Sequence, residues 1–296
     1  MPQGTMLIVN PVSGRGLIKN YLLNIVSALG RGGRCVSVYV TEKRGDAADF
    51  ARQFGGDYDR LVCNGGDGTL SEVVNGIMAL PEDRRPAVGY IPLGTTNDMA
   101  SSFDLPQTTE GVIEHLAMNN IRQVDVGQFG TRYFGYVAAF GAFTEISYAT
   151  PQEAKNNWGY LAYLAQALSS LPNIRPVRAQ VTYDGKVIED EFIIGAVMNS
   201  TSVAGIIKLP LEDVALDDGI FEVLLVRNPR DAVELSNTIN DVLAKRFNSE
   251  NVMLLHASVI SFRFDRPVSW TVDGEDGGAY ENVTASSHRQ AMRLLV

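Results

Sequence analysis

Between Met6 and Val126, short apolar runs rich in β-branched residues alternate with longer stretches whose apolar positions recur at helical spacing. That is the pattern of successive strand–helix–strand units. The spacing predicts strands at Met6–Asn10, Cys35–Val40, Arg60–Asn64 and Val88–Pro92, and helices over Leu17–Leu29, Asp46–Phe54, Leu70–Met78 and Thr109–Met118. After Ile121 the texture changes, and strand candidates follow one another with turn signals between them. A hairpin is expected at Asp184-Gly185 within VRAQVTYDGKVIEDEFIIGAVMN, and IFEVLLV and SVISFRF supply further strands. Helical spacing interrupts this region at Trp158–Leu171 and Ala232–Phe247. The expected organisation is an α/β domain with a mostly parallel sheet over 1–126, completed by 286–296 if the last segment returns to it, and a β-rich, sandwich-like domain over 127–285.

Composition narrows the function classes. The 296 residues, 45% hydrophobic and 20% charged, are enough for two cores. With 25 Lys and Arg against 34 Asp and Glu, the net charge of −9 argues against nucleic-acid binding by phosphate neutralisation. Cys35 and Cys63 sit in apolar runs and read as buried, reduced thiols. No stretch approaches the ~20 apolar residues of a membrane span, and no signal-peptide pattern opens the chain. A cytoplasmic protein is expected, with any membrane contact peripheral.

The candidate chemistry begins at Gly65–Thr69, sequence GGDGT, between a predicted strand and a predicted helix. Backbone N–H groups there point past the carboxyl edge of the sheet, where anions bind in open α/β sheets. Gly65, Gly66 and Gly68 permit close backbone approach, while Thr69 is a candidate helix cap and Glu72 the far half of a capping box. On these residues alone, a phosphate loop and a capped turn read equally well. Asp67 tilts the balance, because a carboxylate in a loop facing phosphates calls for a screening cation such as Mg²⁺. Two further turns share the edge: Asn10-Pro11-Val12-Ser13-Gly14-Arg15, and Gly94-Thr95-Thr96-Asn97-Asp98. Neither a Walker pattern nor a dinucleotide fingerprint is present.

Taken in order, NPVSGRG, GGDGTLSEVVNGI, IPLGTTNDMA, VDVG, LDDGIFEV and VDGE resemble the soluble bacterial diacylglycerol kinases, within the wider family that includes sphingosine and ceramide kinases. The resemblance implies a Rossmann-like first domain of the phosphofructokinase and NAD-kinase kind. It implies an ATP-dependent kinase that phosphorylates diacylglycerol to phosphatidic acid at the inner face of the membrane. ATP would lie against Asn10, Pro11, Val12, Ser13, Gly14, Thr41, Gly66, Asp67, Gly68, Thr69, Leu70, Ser71, Glu72 and Thr95. A structural Mg²⁺ would sit at Asp218 with the carbonyls of Ala215 and Ile220, although on sequence alone LDDG reads better as a turn. Asp67, Asp98 and Asp125 match the family's charged network, whose basic partner, usually lysine, is Arg15 here; Ser71 replaces a common asparagine.

The resemblance also makes Asp273 the general base, with Glu275 as a neighbour that orients it. Spacing alone leaves Asp273-Gly274 equally readable as a hairpin turn, since the chain already uses Asp184-Gly185 in that way. An aromatic segment with Trp158, Tyr160, Tyr163 and Leu164 is a candidate acyl-chain groove, core packing being the alternative. A kinase for another lipid alcohol such as a sphingoid base, an NAD kinase, and a non-catalytic lipid-binding relative are the rival readings. A homodimer is one option for the assembly.

Overall fold

The computed structural model describes residues 4–94, 97–103, 105–141, 175–200, 202–203, 207–209 and 214–296. The predicted helix at Trp158–Leu171, with its candidate groove residues, lies outside them, as does Thr95. The chain divides into two units, the first comprising Met1–Val126, Arg132–Gly135 and His288–Val296, and the second Gly127–Thr131 and Tyr136–Ser287.

Unit 1 is built from β1 (Gly4–Val9), α1 (Ile18–Leu29), β2 (Cys35–Val40), α2 (Asp46–Phe54), β3 (Arg60–Gly65), α3 (Asp67–Met78), β4 (Ala87–Pro92), the short α4 (Asp98–Ser102) and α5 (Thr109–Met118). Its strands run parallel in the order β4-β3-β1-β2. Met6, Leu7 and Ile8 of β1 and Leu61, Val62 and Cys63 of β3 are buried without remainder. That is what a parallel strand covered on both faces requires. At the edge of the sheet, β2 leaves Val38 and Val40 exposed. Cys35, on the same strand, is therefore exposed as well, which corrects the expectation that both thiols are buried; Cys63 is buried, and burial pushes its thiol up to about 12. After β2 the chain crosses back over β1 to β3, so the order reverses at β1/β3. Crevices at such reversal points, beyond the carboxyl ends of the strands, are where ligands bind in open α/β sheets.

The remaining elements are β5 (Ile121–Phe129), β6 (Arg132–Phe134), β7 (Val137–Gly141), β8 (Val177–Tyr183), β9 (Lys186–Met198), the two-residue strands β10 (Ser202–Val203) and β11 (Ile207–Lys208), β12 (Phe221–Arg227), α6 (Ala232–Leu243), β13 (Val252–Ala257), β14 (Val259–Val272) and β15 (Glu275–Leu295). In unit 2 the pairing is antiparallel, in the order β13-β12-β9-β7-β14-β15, with β8 on β9 and β14. The last residues of β15 belong to unit 1, where Leu294 pairs parallel with Val88.

An aromatic cluster of Phe140, Phe262, Phe264 and Trp270 fills the core of unit 2, with ring centroids 4.8–6.2 Å apart. Gly195 makes room for it, since a Cβ there would stand 2.0 Å from the Phe140 ring. Helix α6 starts on Asp231, whose carboxylate accepts from the N–H groups of Val233 and Glu234. It ends at Leu243, short of the expected Phe247, because Lys245 turns to a left-handed φ of 55°. Among the described residues no helix is long and apolar enough to cross a membrane.

Candidate active site

Three turns meet at the carboxyl edge of the unit 1 sheet, and backbone contacts lock them to one another. After β1, Asn10 closes a local turn by accepting Val12 N–H on Oδ1, and its Nδ2 donates to Thr69 Oγ1 at 3.0 Å. Ser13–Gly16 then form one turn of 3-10 helix. Gly14 has φ 58°, and a Cβ on it would stand 2.2 Å from the carbonyl oxygen of Leu93, which follows β4. Leu93 and Gly94 both donate their N–H groups to the Gly65 carbonyl, at 2.9 and 3.1 Å. A Cβ on Gly94 would lie 2.5 Å from Gly66 Cα. The first turn therefore presses on the third, and the third on the glycine turn after β3, with no space for side chains at either contact.

The local form of GGDGT differs from the expected capped loop. Helix α3 begins at Asp67, Gly66 is its N-cap, and no side chain caps it. Thr69 lies inside the first turn of the helix and takes the Asn10 amide instead of a cap. Glu72 forms no capping box, because its carboxylate reaches a different helix and accepts from Gly45 N–H at 2.9 Å and Ala47 N–H at 3.3 Å. Helix α2 starts on Gly45, which has no side chain to cap it, so α3 supplies the carboxylate. The two helices come close enough for this because a Cβ on Gly76 would meet the Ala48 carbonyl at 2.4 Å. Glu72 thereby holds the loop after β2, where Thr41 donates its N–H to Val9 O at 2.9 Å.

Glu72→Ala is expected to cost about 1–2 kcal/mol, read as a fall in Tm of about 3–6 °C, by orphaning two backbone donors. KM for ATP should rise several-fold as the Thr41 loop loosens, with Glu72→Gln between the two. Unchanged melting and KM would show that the loop is held in another way.

Asp67 also finds a partner the sequence does not advertise. Its two carboxylate oxygens accept from the N–H groups of Asp98 and Met99 at the start of α4, at 3.1 and 3.3 Å. Burial pushes its carboxyl above the usual carboxylate range, and the backbone donors oppose that shift without cancelling it. The charge is thus answered by backbone dipoles, so Asp67 by itself no longer argues for a cation. Asp98 and Asp125 are both buried, and Asp125 Oδ1 accepts from Gln290 N–H at 2.6 Å. The Arg15 side chain lies outside the description. Leu70 and Ser71 lie on the buried face of α3, whereas Val12 is exposed.

Two members of the site were not singled out from sequence. Asn97, at φ 51°, donates Nδ2 to Gly94 O at 3.1 Å, and Tyr90 Oη donates to Asn97 Oδ1 at 3.2 Å. Together they brace the third turn. Asn97 carried a signal, being an asparagine able to adopt left-handed backbone beside a glycine turn; Tyr90 carried none.

In unit 2, Asp273-Gly274 is the two-residue turn between β14 and β15, with φ 49° and 78°, and Asp184-Gly185 joins β8 to β9 with φ 46° and 73°. The backbone form is the same, and the surroundings differ. Asp184 is exposed; Asp273 is only 2% exposed, and its Oδ1 accepts from Tyr136 N–H at 3.1 Å and Val137 N–H at 3.2 Å. A hairpin tip is a poor place to bury a carboxylate unless its charge has a use. Glu275 opens β15, paired with Val272, and is half-buried.

The segment 215–220 takes the form of a turn, with Asp218 Oδ1 accepting Ile220 N–H at 2.8 Å and Gly219 at φ 83°. Asp218 and Ile220 are exposed. One carboxylate with the nearby carbonyls of Ala215 and Ile220 forms an all-oxygen donor set, which suits a hard divalent cation.

An α/β unit that gathers glycine turns on one sheet edge, joined to an antiparallel β unit with a buried tip carboxylate, has the parts of a two-domain phosphotransferase. Two family models match: the diacylglycerol kinase catalytic domain over residues 4–129, and the YegS C-terminal NAD kinase beta sandwich-like domain over residues 139–296. The diacylglycerol kinase of Bacillus subtilis is 31% identical over 274 residues, covering 92% of this chain and 89% of that one. That of Staphylococcus saprophyticus is 36% identical over 282 residues, covering 94% and 90%. The crystal structure of a diacylglycerol kinase from Bacillus anthracis shares the fold, with a TM-score of 0.78 at 23% identity over 99% of this chain and 96% of that one. The chain belongs to the diacylglycerol kinase family.

Proposed function

We propose that this protein transfers the γ-phosphoryl group of ATP to the hydroxyl of diacylglycerol, giving phosphatidic acid. The observation that carries the reading is the mutual locking of the turns through Gly14, Gly66 and Gly94, which leaves backbone N–H groups and a helix N-terminus as the lining of one sheet edge. In this reading unit 1, with the phosphofructokinase and NAD-kinase type of sheet, is the nucleotide domain. ATP phosphates lie against Asn10 to Gly14 and Gly66 to Thr69, with Thr41, Glu72 and Thr95 completing the site. Phosphoryl transfer needs little covalent chemistry from the protein beyond in-line positioning and a base for the attacking hydroxyl. Asp273 takes that proton, and Glu275 orients it. Asp67, Asp98, Asp125 and Arg15 form the charged network beside the phosphates. A Mg²⁺ held by Asp218 and the Ala215 and Ile220 carbonyls would brace the segment that leads into β12. The acceptor is a membrane lipid, so the protein works at the inner membrane face by peripheral contact.

The test presents radiolabelled ATP with diacylglycerol, a sphingoid base, ceramide and NAD in mixed micelles. Diacylglycerol should carry at least ten times the label of any other acceptor. NADP formation would favour the NAD-kinase reading, and no transfer to any lipid would favour a binding module.

A further inference from the structure

Arg60 opens β3 at the end of the strand opposite the glycine turn. Its side chain is only 6% exposed, its Nε is buried without a partner, and no hydrogen bond or ion pair to it is found among the described residues. Such an arginine is an anomaly. A buried cation normally finds a counter-ion or gives up its proton, and a guanidinium does not give up its proton. Thr5 pairs with Arg60 in the parallel β1–β3 ladder, so both side chains leave the sheet on the same face. The Thr5 hydroxyl is also buried and without a partner. Next in the chain, Asp59 gives one carboxylate oxygen to Arg34, while its other oxygen, Oδ1, is buried and unbonded. Burial first, and then the Arg34 charge, press the Arg60 pKa down, with Asp59 opposing, so the three charges act on one another.

The unmet groups are a guanidinium, a hydroxyl that can donate, and one carboxylate oxygen that can only accept. A bare oxyanion would satisfy the donors and repel Asp59 Oδ1. A phosphate that still carries a proton satisfies all three, because its charged oxygens take the donors and its P–O–H donates to the carboxylate. Sulfate and phosphodiesters have no such proton at neutral pH. We propose that Arg60, Thr5, Asp59 and Arg34 bind a protonated phosphate, either inorganic phosphate or a phosphomonoester, at the amino edge of the unit 1 sheet. Six residues of β3 separate this site from the turn after that strand, about 15–20 Å along the strand.

The glycine turns attract phosphate too, so the test is run with a non-hydrolysable ATP analogue and Mg²⁺ at saturation. Inorganic phosphate at ten times its Kd should then raise the wild-type Tm by about 2–3 °C. Sulfate should give less than half that shift. Arg60→Leu should show no phosphate response and, in phosphate-free buffer, melt at or above wild type, because it removes a lone buried charge. Arg60→Lys should keep part of the response, and kcat with saturating ATP and diacylglycerol should be unchanged in both variants. Flotation with phosphatidylcholine vesicles separates the sources. Wild type retained better than Arg60→Leu on vesicles doped with phosphatidic acid, and not on those doped with phosphatidylglycerol, assigns a lipid headgroup; equal flotation with the phosphate response intact assigns free phosphate. Equal phosphate shifts in wild type and Arg60→Leu, sulfate acting as well as phosphate, or Arg60→Leu melting lower by a constant amount at every phosphate concentration would each overturn the proposal.

Discussion

Asp273→Asn is expected to lower kcat for diacylglycerol about 10²–10⁴-fold while KM for ATP and the melting temperature stay close to wild type. Asparagine is the informative replacement for reasons specific to this position. Asp273 sits at φ 49°, a left-handed conformation that asparagine tolerates, and Oδ1 must keep accepting from Tyr136 and Val137 N–H. The asparagine carbonyl preserves both bonds and the turn, and it removes only the capacity to take a proton. Alanine would leave two buried donors unmet, at about 1–3 kcal/mol each, and would add left-handed strain of about 1–2 kcal/mol. Loss of activity in that variant would report unfolding as readily as chemistry. If Asp273→Asn kept its activity within tenfold of wild type, the carboxylate would be a structural tip and the base would lie elsewhere.

The comparison between Asp273 and Asp184 also shows how far sequence alone reaches. The two Asp-Gly pairs predict the same turn and form the same turn, because φ preferences are local. What separates them is burial and the donors at Tyr136 and Val137, which lie 137 and 136 residues away in the chain. Local signals served equally well for β2, α2 and α5, whose observed bounds coincide with the spacing of β-branched runs and helical faces. They failed where a partner is distant. Thr69 and Glu72 make an apparent capping box, yet Asn10, 59 residues from Thr69, and Gly45, 27 residues from Glu72, take the two side chains. Cys35 lies in an apolar run and is exposed because its strand is the edge of the sheet, which only the strand order reveals. The three turns were legible individually, each as a cluster of turn residues after a strand. That they touch through glycine Cα atoms and a carbonyl oxygen depends on backbone approach distances that no residue pattern encodes.

That contact gives the second large effect. Gly14→Ala should lower Tm by about 5–10 °C and raise KM for ATP at least tenfold, because two penalties act on one atom. The residue must hold φ 58°, which costs an alanine about 1–2 kcal/mol, and its Cβ must also find room 2.2 Å from the Leu93 carbonyl oxygen. Backbone of a turn anchored by the Leu93 and Gly94 bonds to Gly65 O cannot retreat without breaking them. Gly32→Ala separates the two penalties. Gly32 has φ 75° and nothing within 4 Å of a Cβ, so it carries the conformational strain alone and should shift Tm by about 2–4 °C with KM unchanged. Gly94→Ala supplies the converse, since it has no positive φ to lose but places a Cβ 2.5 Å from Gly66 Cα and 2.8 Å from Asn97 Oδ1. It should therefore act mainly on KM, by pushing the third turn off the start of α3. If Gly14→Ala and Gly94→Ala both behaved like Gly32→Ala, the close packing of the turns would have no part in holding ATP, and the phosphates would have to lie elsewhere.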